Sequence, residues 1–240
     1  MNDNDSKGIS YTAGFFMLIA FAVAGLILAE LISKPIWVEM TGKKAELFVN
    51  KTFAPEDSNA LKIIQAISVV IGLFLPAILT AFVLNRKPIR LMGFSTQGIK
   101  LSQVGLVILL LGASLLVSTS LSYLTTILPL PESWRTWFDK LEDIYNTQVS
   151  VIVNLKDGKD YILSLIIMAF VPALCEEAFF RGGLQNFLTR GTGKPWLSII
   201  VVSALFSLVH FSGYGFLSRF FLGIVLGALF HYSGKLWLSI

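Results

Sequence analysis

Apolar residues in this chain gather into six long runs separated by short polar segments: Tyr11–Ile32, Leu61–Leu84, Leu101–Leu128, Tyr161–Leu188, Leu197–Phe211 and Phe216–Tyr232. A helix of roughly twenty apolar residues crosses the hydrocarbon core of a bilayer, and these runs are close to that length. None alternates with the period of two that a barrel strand needs, and an open strand in lipid would leave its amides unpaired. The pattern predicts an all-α, polytopic transmembrane helical bundle with six complete spans. A seventh run starts at Leu236 and the chain stops at Ile240, so the start of a seventh span is expected, cut short. The first run is too long for the apolar part of a signal peptide and shows no small-residue cleavage site, so it is expected to be retained.

Between the third and fourth runs the spacing changes. Trp134, Trp137, Phe138, Leu141, Ile144 and Tyr145 recur at helical intervals among charged residues. This predicts an interfacial amphipathic helix in the 129–160 loop, an anchor or, in the other reading, a lid over a substrate path.

Composition agrees with lipid as the solvent. Of the 240 residues 55% are hydrophobic and 14% charged, too few charges to cover a soluble surface. The net charge of +4 does not point to nucleic acid, because the basic residues lie between apolar runs, where they set topology. Segments 85–100 and 182–195 carry basic residues and no acid, whereas 129–160 is mixed. The first two are therefore expected in the cytoplasm, together with a cytoplasmic N-terminal tail at residues 1–10; the basic balance of the first outer loop runs against this threading. An integral protein of a bacterial plasma membrane is expected, with membrane lipids as its neighbours. The lone Cys175 excludes an internal disulfide and a Cys-rich metal site.

Chemistry enters through polar residues inside the runs. Glu176 and Glu177 stand side by side in the fourth, where a charge at a helix centre costs about 2.5–3.5 kcal/mol on insertion scales. Neighbouring helical positions point about 100° apart, so the two carboxylates cannot share one task. Glu177 and Arg181 have the spacing and order of an i,i+4 ion pair, which leaves Glu176 for chemistry. Pro172 is expected to kink the helix nearby. In the fifth run Ser203, Ser207 and His210 form a polar stripe. Glu176 and His210 each lie 17 residues from Gly193 in the turn that joins the two runs. An antiparallel hairpin would bring them to one depth, as an acid–base or ligand pair. Cys175 reads as a small buried hydrophobe, Gly223 and Gly227 as a helix-packing pair, and His231 as interfacial rather than catalytic.

Glu176-Glu177-Ala178-Phe179-Phe180-Arg181 resembles the EExxxR signature of the CAAX-protease and bacteriocin-processing family, relatives of the Ras-converting CAAX endopeptidase. Phe206-Ser207-Leu208-Val209-His210 resembles its second motif, FxxxH, and the stretch from Gly223 to Trp237 its next. The resemblance covers roughly 162–240. It implies an intramembrane endopeptidase core at 161–240, preceded by N-terminal transmembrane helices and outer loops at 11–160. Glu176 would activate water, Glu177 and Arg181 would support the site, and His210 would bind the water or the oxyanion. A peptide or lipidated protein would be the substrate. No cofactor is expected, although a divalent metal such as zinc is left open; Glu176 and His210 supply too few ligands for a catalytic zinc. The family's last motif, a His and an Asn four apart on the following helix, has no counterpart here. The 240-residue chain is therefore expected to be inactive or impaired. The rival readings are a non-catalytic immunity or scaffold protein and a transporter relaying protons.

Overall fold

In a computed structural model that describes residues 5–153 and 158–240, every regular element is a helix. Among these residues the only strand-like pairing is an isolated bridge between Ser6 and Asn85. The start of the tail and residues 154–157 of the predicted loop lie outside the described residues. In chain order the main helices are α1 (Tyr11–Thr41), α2 (Pro55–Leu84), α3 (Leu101–Ile127), α4 (Glu132–Ile152), α5 (Asp160–Thr192), α6 (Pro195–Leu208) and α7 (Phe216–Ser233). Among the described residues, five of these, all but α4 and α6, are long and apolar enough to cross a membrane. The fifth predicted run is helical only as far as Leu208. The 14 residues of α6 rise about 21 Å, less than the hydrocarbon thickness of roughly 30 Å. Beyond α7, residues Leu236–Leu238 form a 3₁₀ turn where the sequence suggested another helix.

Small residues set the helix packing. The buried face of α1 is Gly14, Leu18, Ala22, Gly25, Ala29, Ser33 and Trp37, one residue per turn, while Phe16, Phe21, Leu26, Leu28 and Leu31 are exposed. At Gly25 α1 meets the backbone of α2: a Cβ there would lie 2.4 Å from the Ile71 carbonyl oxygen. In lipid there is no hydrophobic drive between helices, so such close contact supplies the attraction.

The loops collect at two ends. At one, Arg86 N–H donates to the Asp5 carbonyl, Leu236 N–H to that of Gly93, and the Trp237 indole to that of Phe94. Gly191 at the end of α5 packs on Thr12. At the other, Lys43 pairs with the buried Asp57 at 2.8 Å, and Ser58 donates to the Ile152 carbonyl. There too α4 lies against the turn between α6 and α7, where Tyr214 donates to Asp139 at 2.6 Å and Ser212 to Glu142 at 3.3 Å.

Candidate active site

Glu176 and Glu177 close a short α-helical segment, Val171–Glu177, framed by two widened π turns, Ile166–Phe170 and Ala178–Gln185. The first turn answers Pro172. Its ring crowds the carbonyl four residues earlier and its nitrogen donates nothing, and a turn bonded five residues apart relieves both conflicts. Helix α2 repeats the device at Val70–Phe74, ahead of Pro76. The second turn holds no proline. It contains Gly182 and Gly183, where a Cβ would lie 3.1 Å from the Met92 carbonyl oxygen and 2.6 Å from the Leu18 side chain.

The ion pair expected from the i,i+4 spacing is present. Arg181 Nη1 lies 2.7 Å from Glu177 Oε1, with both side chains almost wholly buried. The guanidinium does more than neutralise Glu177. Its Nη2 donates to the Gly223 carbonyl on α7 at 3.4 Å, and its Cζ lies over the Phe206 ring of α6, 4.7 Å from the ring centre. Arg181 thus ties three helices together. One turn further along α5, Gln185 Nε2 donates to the Gly227 carbonyl at 2.8 Å. Both glycines owe their identity to this seam: a Cβ would lie 2.8 Å from Ser203 at Gly223, and 2.7 Å from the Gln185 amide oxygen at Gly227.

His210 lies two residues past the end of α6. The helix closes with tightened bonds from His210 N–H to the Ser207 carbonyl and from Phe211 N–H to that of Leu208, and Phe211 then turns to φ +48°. That left-handed conformation is uncommon for a bulky residue. The imidazole Nδ1 lies 2.7 Å from the Phe206 carbonyl oxygen, and the ring sits 4.7 Å from that of Phe206. A carbonyl only accepts, so Nδ1 carries the hydrogen and the neutral ring keeps a bare lone pair on Nε2. Ser207 and Ser203 are not free polar groups. Ser207 donates to the Phe216 carbonyl at 2.6 Å, and Ser203 is buried against Gly223.

Glu176 differs from its neighbour. Its side chain is only partly enclosed, it lies within electrostatic range of Glu177 and Arg181, and no hydrogen bond joins its carboxylate to another described residue. No direct hydrogen bond links it to His210 either; the connection between them runs through Glu177, Arg181 and Phe206. Cys175 is buried and free. His231 is exposed on the far part of α7, its ring beside Tyr232. Among the described residues no three His, Cys, Asp or Glu side chains converge as a metal site.

Sequence reading missed two residues. Gln185 continues the Glu177–Arg181 stripe by one more turn, a signal present in the spacing. Ser239 had none, because contact with it depends on how the last residues fold back. It is buried beside the Glu177 carboxylate while its hydroxyl donates to the Leu236 carbonyl at 2.9 Å.

Residues 158–240 match the family described as Rce1-like, type II CAAX prenyl endopeptidase Rce1-like. The match holds α5, α6, α7 and every residue of the site, and it bears out the resemblance read from the EExxxR and FxxxH motifs. Neither the curated proteins nor the solved structures contain a match.

Proposed function

We propose that this protein is an intramembrane endopeptidase that hydrolyses membrane-associated or CAAX-like substrates with a water activated by Glu176. The observation that carries the reading is the unequal state of two adjacent carboxylates. Glu177 is consumed by a buried ion pair, whereas Glu176, one residue away, is half-buried and holds no hydrogen bond to another described residue. An acid arranged only for packing would be paired like Glu177.

The division of labour follows from the atoms. Glu176 accepts a proton from water as the water oxygen attacks the scissile carbonyl carbon. A C–O bond forms, and the carbonyl π pair moves onto oxygen. The C–N bond then breaks, and Glu176 returns the proton to the leaving nitrogen, giving a carboxylic acid and an amine. His210 Nε2 accepts a hydrogen bond from the water and orients it. In its neutral tautomer it has no Nε2 hydrogen to give to an oxyanion. Glu177, Arg181 and Gln185 keep α5 fixed against α6 and α7. Among the described residues no three side chains converge to fit a catalytic zinc, which takes three protein ligands, and this supports a reaction run by protein groups and water.

The basic residues of segments 85–100 and 182–195, free of acids, support a cytoplasmic side for that end and for the N-terminus. Helix α4, with Trp134 and Trp137 exposed, lies at the opposite interface. The test is cleavage of a fluorogenic peptide anchored in proteoliposomes, with wild type compared with Glu176→Ala and His210→Ala. Loss of cleavage in both supports the assignment; cleavage at the wild-type rate in both removes it.

A further inference from the structure

Arg219 is the cation that the site has not yet used. The two hydrogen bonds between α5 and α7, Arg181 to Gly223 and Gln185 to Gly227, share one offset of 42 residues. Helices α5 and α7 therefore run parallel in register, and one turn back the same offset sets Arg219 at the level of Glu177. Its guanidinium folds over Gly215, where a Cβ would lie 2.0 Å from Nη1. It reaches toward the turn that carries His210, near enough to act on the imidazole electrostatically. It also rests 5.9 Å from the Tyr145 ring centre of α4. Nη1 is buried and has no hydrogen-bond partner among the described residues. Arg181, the other cation near His210, is committed to Glu177 and Gly223.

The proposed hydrolysis creates an alkoxide on the scissile carbonyl, and a donor must meet it. With Nδ1 facing the Phe206 carbonyl, neutral His210 offers a lone pair at Nε2, and Glu176 is an acid, so neither supplies that donor. We infer that Arg219 is a catalytic residue of this site, its Nη1 N–H binding the substrate carbonyl oxygen as it becomes an oxyanion. A peptide phosphinate carries the same tetrahedral anion and therefore serves as the probe. The structure also holds the rival partner, since Glu142 reaches Ser212, whose hydroxyl stands over Gly215 as Arg219 does. A structural Arg219–Glu142 pair would have no interest in the probe.

This inference rests on the hydrolase reading, and the two are separated by measuring binding rather than turnover. In proteoliposomes, the affinity for a phosphinate peptide is compared with that for its uncleaved amide in four proteins: Glu176→Gln, and Glu176→Gln combined with Arg219→Gln, Arg219→Lys or Glu142→Gln. The expected result is a phosphinate preference in the Glu176→Gln protein. Arg219→Gln lowers it by about 100-fold, the scale of a lost oxyanion donor. Arg219→Lys keeps part of it and Glu142→Gln leaves it unchanged. Because the readout is a ratio within each protein, a general loss of folding does not imitate it. A Glu176→Gln protein with no preference, or one that binds neither ligand, overturns the inference. So does a preference that survives Arg219→Gln. Failure of the hydrolase reading appears separately, as a wild type that binds the phosphinate through Arg219 yet releases no product from the amide.

Discussion

His210 Nδ1 stands 2.7 Å from the backbone carbonyl of Phe206, one turn earlier in the same segment. The bond fixes which ring nitrogen carries the hydrogen and hence the direction in which the imidazole can act. We expect ¹⁵N spectra of labelled protein to show a protonated Nδ1 and a bare Nε2 while the ring is neutral. A His210→Gln side chain, whose terminal carbonyl reaches about as far as Nε2, is expected to retain more activity than His210→Ala. The opposite tautomer would turn His210 into a donor and revise its role.

The Glu177–Arg181 pair is worth little as attraction and much as an obligation. Removing one partner leaves a buried charge without compensation, so Glu177→Leu or Arg181→Met is expected to cost about 3–5 kcal/mol. The double variant, which leaves no charge behind, is expected to recover most of that loss. Unfolding in mixed micelles measures all three proteins. Recovery of activity is not expected with recovery of stability, because the double variant loses the bond to Gly223 and the stacking on Phe206.

Two glycine substitutions test the packing of α1 on α2 against a control. Gly25→Ala forces a methyl group to within 2.4 Å of a backbone oxygen, and backbone cannot swing aside. It is expected to cost about 1–3 kcal/mol. Gly112→Ala on α3 meets nothing within 4 Å, and is expected to be neutral or to gain up to about 1 kcal/mol from helix propensity. Equal effects at the two positions would contradict the close crossing.

The hydrophobic pattern made the helical class legible, because lipid demands that each span satisfy its own backbone. The ion pair was legible too, since both partners lie on one helix at a fixed spacing. What the spacing could not supply was the partner on another helix. Gly223 looked like a packing residue and is also the carbonyl that receives Arg181. The depth argument for Glu176 and His210 assumed uniform helices. In fact α5 contains two widened turns and α6 ends at Leu208, so the rise per residue is not constant along either arm. The turn at Leu236–Leu238 was invisible for a related reason: an apolar run of a few residues has no period.

The clamp of α4 on the α6–α7 turn should respond to alkali. The hydrogen bond to Asp139, with smaller contributions from limited burial and the nearby charge, raises the Tyr214 phenol above its ordinary value of 10.0. Folding therefore favours the protonated phenol. Its contribution is complete below the ordinary tyrosine range and is lost as pH rises through the higher folded value. Fluorescence of Trp134 and Trp137 is expected to hold steady through neutral pH and to change above pH about 10. In Tyr214→Phe that step is expected to disappear; a step of the same size in the variant would assign it to another group.

The account depends most on the difference between two neighbouring carboxylates, and turnover by Glu176→Gln beside Glu177→Gln measures it directly. With a membrane-anchored peptide in proteoliposomes, Glu176→Gln is predicted to lower kcat by about 10²–10⁴-fold while its thermal unfolding stays that of wild type. Glu177→Gln is predicted to lose stability first. A Glu176→Gln protein that cleaves as fast as wild type would contradict the assignment of the base.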